Sequence, residues 1–252
     1  MGELFTLQPL VVGVFPEFPL NRFIESHDTA ATVAAPCLAW LARSEDRTVL
    51  VDTGPPVPTP HSAAIHVGLE VKPEHRIDQA LIAADVDPGD VDTVVLTHLH
   101  FDHCANGEYL PNARFLVQAA ELQFAVLPDS PIQRIGYEVG YPGIIPAWMS
   151  VFDRMEVVHG RHEVAPGCTM LPLPGHSPGS AGAVFQTARG RLAVVGDLVN
   201  QIENWHAPGG GHATPALYSS HDDCQASFAL LEREADHVLA SHDFRMLDEE
   251  WG

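Results

Sequence analysis

Runs of β-branched and aliphatic residues at positions 4–15, 37–43 and 48–51, separated by Pro, Gly and acidic turns, open the chain and predict antiparallel strands. The period then changes. Ile77, Ala80, Leu81 and Ala84 recur at helical spacing, and Asp87-Pro88-Gly89-Asp90 ends that helix before a strand over 91–96. A strand at 113–117 and a helix at 119–126 repeat the alternation, and apolar runs at 157–164, 169–173, 181–186, 192–195 and 238–240 predict further strands, with Ala165-Pro166-Gly167 as a turn. Ser220 followed by His221, Asp222 and Asp223 resembles a capping box, and acidic residues there suit the positive end of a helix running to about Ala235. Two stretches have no period. Residues 55–68, rich in Pro and small side chains, predict a mobile surface loop with His61 and His66 facing solvent. Residues 128–149, crowded with Pro, Gly, Tyr137, Tyr141 and Trp148, predict an insertion covering a site, whose aromatics line a pocket or pack locally. Because strands and helices recur in two similar halves, the expectation is a single layered α/β domain over residues 1–252.

Composition narrows the function classes. A chain of 252 residues that is 46% hydrophobic can bury a large core, so disorder is excluded as the default. The formal charge of -20, from 33 acidic against 13 basic residues, speaks against nucleic acid and anionic membrane as partners, which are held by clustered Lys and Arg. Cys37, Cys104, Cys168 and Cys224 form no C-x-x-C pair and suggest neither a zinc knuckle nor a disulfide scaffold. The first residues lack a basic stretch and the apolar run at 9–15 is too short for a signal or a membrane span, so a cytoplasmic protein is expected.

The chemistry concentrates after the strand at 91–96. His98, His100, Asp102 and His103 place three imidazoles and a carboxylate within six residues, a set that is hard to bury without a cation. Strand ends in α/β sheets are where ligands bind, and His176, Asp197 and His242 each follow a predicted strand in the same way. Asp52, in Asp52-Thr53-Gly54 at the end of another strand, either terminates that strand or supports a metal-ligating histidine from behind.

Taken in order, His98-Leu99-His100-Phe101-Asp102-His103, Gly175-His176-Ser177-Pro178-Gly179-Ser180, Gly196-Asp197 and Ser241-His242-Asp243 resemble the metallo-β-lactamase-fold hydrolase superfamily, most of all its N-acyl homoserine lactonase group. The resemblance spans Asp52 to Asp243. It implies an αββα sandwich with a dinuclear site in which His98, His100 and His176 hold one metal, Asp102, His103 and His242 the other, and Asp197 bridges them. Zinc is the metal implied, although iron and manganese accept the same donors.

Such a site implies hydrolysis of a small-molecule ester, with a metal-bridging hydroxide opening a lactone of N-acyl homoserine lactone type. Asp102, Asp197 and Asn200 are the catalytic candidates. The lactonase group carries Tyr where this chain has Asn200, three residues after Asp197; an amide also donates a hydrogen bond to an oxyanion, and Tyr218 is a second candidate for that role. The alternatives are a thioesterase of the hydroxyacylglutathione type, a mononuclear iron sulfur dioxygenase using His98, His176 and Asp197, and a non-catalytic metal-binding protein. A homodimer is the assembly the resemblance leaves open.

Overall fold

The computed structural model describes residues 3–25 and 30–252. Its first sheet has the order β1 (Thr6–Pro19), β2 (Thr32–Arg43), β3 (Thr48–Val51), β4 (Thr93–Val95), β5 (Arg114–Gln118), β6 (Met155–Val158). The second has the order β11 (His237–Leu239), β10 (Gly190–Val194), β9 (Ala181–Thr187), β8 (Cys168–Pro172), β7 (His162–Ala165). The helices include α1 (Ile77–Ala83), α2 (Phe101–Cys104), α3 (Ala119–Val126), α4 (Pro131–Gly136), α5 (Ile202–Trp205) and α6 (His221–Glu234).

Strand alternation explains the layers. Trp40, Val51, Val95 and Leu116 join Phe185 and Leu192 of the second sheet in one core, whereas their chain neighbours Leu41, Leu50, Val94 and Phe115 pack with Ile77 and Leu81 of α1 in another. Helix α6 adds Cys224, Phe228 and Leu231 to the first core from beyond the second sheet. The result is an αββα sandwich with two mixed sheets. Each buried Leu, Val or Phe contributes about 1.5–3 kcal/mol of burial free energy, so both sheet faces are strongly specified.

The three opening strands pair antiparallel as their pattern predicts. From β3 onward the first sheet is parallel, with β3, β4, β5 and β6 side by side. Parallel neighbours need crossovers, and α1 and α3 lie in two of these. The expected strand over 157–164 is corrected to two. The chain turns at His159, Gly160 (φ +71°) and Arg161, so β6 ends in the first sheet and β7 begins in the second. Ser220 caps α6 as expected, accepting from the Asp223 amide. Among the described residues no helix is long and apolar enough to cross a membrane.

His66 also departs from expectation. His61 is exposed, but His66 is buried, with Nε2 2.8 Å from Glu138 Oε1 and its ring stacked 4.2 Å from Phe101. The stretch 55–68 therefore folds back onto α2, because the Glu138 carboxylate offers an imidazole a buried partner there.

Candidate metal centre

The loop leaving β4 carries the first donors. Leu99 is wholly buried in the core, and its amide donates to Glu121 Oε1 at 2.8 Å, so the side chains on either side, His98 and His100, point away from that core. Helix α2 starts at once and brings Asp102 and His103 onto the same floor. His176 lies beyond β8 on a turn held by Ser177 and Ser180, Asp197 on the 3₁₀ turn Gly196–Leu198 after β10, and His242 just after β11. Gly196 has φ +54°, and a Cβ there would sit 2.5 Å from Thr97 Oγ1, so only glycine lets the Asp197 turn approach the histidine loop.

Each imidazole is oriented by one ring nitrogen. His103 Nδ1 donates to Asp52 Oδ2 (2.8 Å), His176 Nδ1 to Leu217 O (2.8 Å), His242 Nδ1 to Pro36 O (2.9 Å) and His100 Nε2 to Gln133 Oε1 (2.9 Å). Thr97 Oγ1 gives its proton to Asp52 Oδ2 (2.8 Å) and therefore accepts from His98 Nδ1 at 3.0 Å. Every remaining ring nitrogen thus faces the centre, the arrangement in which outer partners fix metal-ligating histidines.

Those nitrogens converge with the aspartate oxygens. His98, His100, His176 and Asp197 offer donor atoms that all lie within 4.8 Å of one another, as do His103, Asp197 and His242, and also Cys37, Asp102 and His242. Asp197 serves two of the groups, with Oδ1 3.1 Å from His103 Nε2 and 3.2 Å from His242 Nε2, and Oδ2 3.7 Å from His176 Nε2 and 4.0 Å from His98 Nε2. Asp102 Oδ2 is 3.7 Å from His242 Nε2 and 3.8 Å from His103 Nε2.

Three observations show that these residues fit metal. His98 Nε2 and His103 Nε2 are buried and make no hydrogen bond, the latter despite its approach to Asp197. His176 Nε2 and His100 Nδ1 face each other at 3.1 Å although the other nitrogen of each ring already carries the proton, a contact a shared cation relieves. Finally, burial, reinforced by the neighbouring imidazoles, pushes His98 and His100 well below the ordinary imidazole range, and burial lowers His176; all three are neutral and able to ligate.

The other histidines behave oppositely. Burial opposes charge on His103 and His242, yet Asp197 and Asp102 beside both, with Asp52 behind His103, raise His103 well above the usual range and raise His242. Asp197 in turn is held well below the carboxylate range, since His103 and His242 outweigh its burial. Burial, with Asp102 and Asp197 adding to it, keeps the Cys37 thiol protonated far above its ordinary value.

All seven expected metal residues, His98, His100, Asp102, His103, His176, Asp197 and His242, are thus brought together. Asn200 is buried beside them; its Nδ2 donates to Asp197 O at 3.2 Å and to Phe23 O at 3.4 Å, and its Oδ1 has no partner. Tyr218 instead donates to Glu25 at 3.0 Å, and its neighbour Leu217 faces the cavity. Sequence reasoning missed several supports. Glu121, fully buried on α3, accepts from Leu99 N, Tyr137 Oη (2.6 Å) and Ser177 Oγ (2.5 Å), tying both histidine loops to one carboxyl that burial pushes up. Gln133 bridges His100 and His176, its Nε2 donating to His176 O at 3.3 Å. Phe23 stacks on His242 at 5.1 Å, and Cys37 stands beside Asp102 and His242. Nothing in the pattern of that helix, which also carries the polar Gln123, singles out Glu121.

A family model described as the metallo-beta-lactamase superfamily matches residues 33–242. The chain belongs to the metallo-β-lactamase superfamily. Among superfamily members it is 26% identical over 168 residues to an N-acyl homoserine lactonase of Bacillus cereus, covering 64% of this chain and 62% of that protein. It is 27% identical over 179 residues to an N-acyl homoserine lactonase of Bacillus thuringiensis, covering 68% and 66%. The chain therefore spans somewhat over three-fifths of the B. cereus relative's length. In fold it is similar to a quorum-quenching N-acyl homoserine lactone lactonase, with TM-score 0.74 at 22% identity over 97% of this chain and 94% of that one. It is also similar to an N-acyl homoserine lactone hydrolase whose structure holds N-hexanoyl-L-homoserine at its catalytic metal centre, with TM-score 0.75 at 20% identity over 99% and 100%.

Proposed function

We propose that this member of the superfamily is a dinuclear, zinc-dependent hydrolase that opens a lactone, with N-acyl homoserine lactones as the favoured substrate class. The reading is carried by one observation: two groups of donors sharing Asp197 present His100, Asp102, His176, Asp197 and His242 to a cavity of about 530 Å³ whose walls include Phe15, Phe18, Phe23, Ile65, Ile135 and Leu217. A polar, electrophilic floor under apolar walls suits an ester head with an apolar tail. The lactonase relatives support it.

His98, His100 and His176 would hold one ion, and His103, His242 and Asp102 the other, with Asp197 between them. Divalent ions so held supply Lewis acidity and make water a nucleophile near neutral pH. The chain's residues do the rest. The aromatic walls exclude bulk water and orient the acyl tail, leaving the ester carbonyl over the floor. Asp197 is fixed by Ser241 Oγ at 2.9 Å. Asp102, whose approaches to His103 and His242 exceed hydrogen-bond length, is the carboxylate free to move a proton. It takes one proton from the attacking water and returns it to the ring oxygen as the carbonyl C–O bond breaks, giving an alcohol and a carboxylic acid whose remaining proton is lost to solvent. Asn200 contacts the carbonyl by giving up its long bond to Phe23 O.

The test is a panel of acyl homoserine lactones, glutathione thioesters, aryl esters, phosphotriesters and β-lactams, assayed on protein of measured metal content. Two zinc-like ions per chain with lactones turned over fastest supports the reading. One iron per chain, preferential thioester cleavage, or bound metal with no turnover replaces it with the dioxygenase, the thioesterase or the binding protein.

A further inference from the structure

Cys37 is placed where the mechanism above makes no use of it. Strand β2 runs past the second metal position, and two backbone contacts lock it there: Pro36 O accepts from His242 Nδ1 at 2.9 Å, and the Leu38 amide donates to Ser241 O at 3.2 Å. Cys37, between them, is buried, lies opposite Gly13 in the β1–β2 register, and sends Sγ to within 4.8 Å of the donor atoms of both Asp102 and His242. Beside that group, His103 Nε2 is buried without a hydrogen bond.

We propose that Cys37 is a thiolate ligand of the second metal ion, so that this position is built from Asp102, Cys37 and His242 as well as from His103 and the shared Asp197. The inference rests on the dinuclear reading above. With the sulfur about 2.3 Å and the nitrogen or oxygen donors about 2.0–2.2 Å from one tetrahedral ion, the donors lie roughly 3.5 Å apart; Cys37 Sγ is already within 4.8 Å of the Asp102 and His242 donor atoms, so a rotamer adjustment of Cys37 closes the set. Binding replaces the S–H bond by an S–metal bond and releases the proton to solvent, with no change of oxidation state. The first position, by contrast, offers only imidazole and carboxylate donors. A soft sulfur at one position alone makes the two unequal: it favours zinc or cobalt over manganese at the second.

Cobalt(II) is the probe. Protein stripped with chelator and reloaded with two equivalents of Co²⁺ should show visible d–d bands together with a near-ultraviolet sulfur-to-cobalt charge-transfer band. In Cys37→Ser, which keeps the side chain's size and polarity, and in Cys37→Ala, the charge-transfer band is lost while the d–d bands persist, and Zn²⁺ affinity at the weaker position falls at least tenfold with Mn²⁺ affinity unchanged. A charge-transfer band that survives both substitutions, or its absence from the parent protein despite clear d–d bands, overturns the Cys37 assignment and leaves the dinuclear reading standing. If no Co²⁺ binds, both fall.

Discussion

Five histidines meet at one floor, yet they divide into two sets of opposite electrostatic character. His98, His100 and His176 are pushed down by burial and by neighbouring imidazoles, while His103 and His242, equally buried, are pushed up by Asp197 and Asp102. The difference lies in the neighbours. The first set is packed among imidazoles and the Gln133 carboxamide and meets Asp197 only through Oδ2, at 3.7 Å from His176 and 4.0 Å from His98, whereas the second has Asp197 Oδ1 at 3.1 and 3.2 Å, Asp102 nearby and Asp52 directly behind His103. Burial alone therefore does not decide the charge of a histidine; the nearest carboxylate does. A centre built this way has one neutral half and one half already neutralised by aspartates, and Asp197 belongs to both.

That contrast is most sharply broken by Asp197→Ala. Losing the carboxylate shared by the halves should remove bound metal from both and reduce kcat by more than the roughly 100-fold that loss of an outer partner costs. Metal analysis together with turnover checks this; a variant retaining two ions and full rate contradicts the shared role. Glu121→Ala acts next, and on folding. It leaves Leu99 N, Tyr137 Oη and Ser177 Oγ buried without their acceptor, at about 1–3 kcal/mol each, so denaturant unfolding should show a loss of several kcal/mol, with Glu121→Gln losing less.

Asp52→Ala acts directly on the aspartate-rich half and only through Thr97 on the other. Without its Nδ1 partner His103 is no longer oriented, and metal affinity at the second position should drop about 10–100-fold with a smaller drop at the first, where Thr97 loses the acceptor that sets its bond to His98, as competition with a chromophoric chelator would measure. The smallest effect is the pH signature of the metal-free protein. His103 and His242 have folded pKa values above the unfolded 6.5, so their contribution is fully present below pH 6.5 and fades as pH rises through the raised values. His98, His100 and His176 have lowered values, so their burial costs stability increasingly as pH falls below 6.5. Relative to the parent, His98→Gln should therefore gain stability on acidification and His103→Gln should lose it. Parallel pH profiles for the two variants would erase the distinction.

Much of this was readable along the chain. Local period predicted most strands and α6 with its Ser220 cap, because strand and helix patterning depends on nearest neighbours. What failed locally was the apolar run at 157–164, where Gly160 carries the chain from one sheet to the other, and His66, whose burial depends on Glu138 seventy-two residues away. Glu121, Gln133 and Cys37 carried no distinguishing pattern, since each matters only through residues that folding brings to it.

The sequence by itself determined the superfamily and pointed to the candidate donors, because His98, His100, Asp102 and His103 are chain neighbours and the later candidates each follow a strand. Tertiary structure alone decided which ring nitrogen of each histidine faces the centre and what charge it carries. Those properties follow from a hydrogen bond to Pro36 O, 206 residues from His242, from Asp52, 51 residues from His103, and from Leu217, 41 residues from His176. Short-range hydrogen bonds and desolvation act through space, and only the assembled sandwich sets those distances.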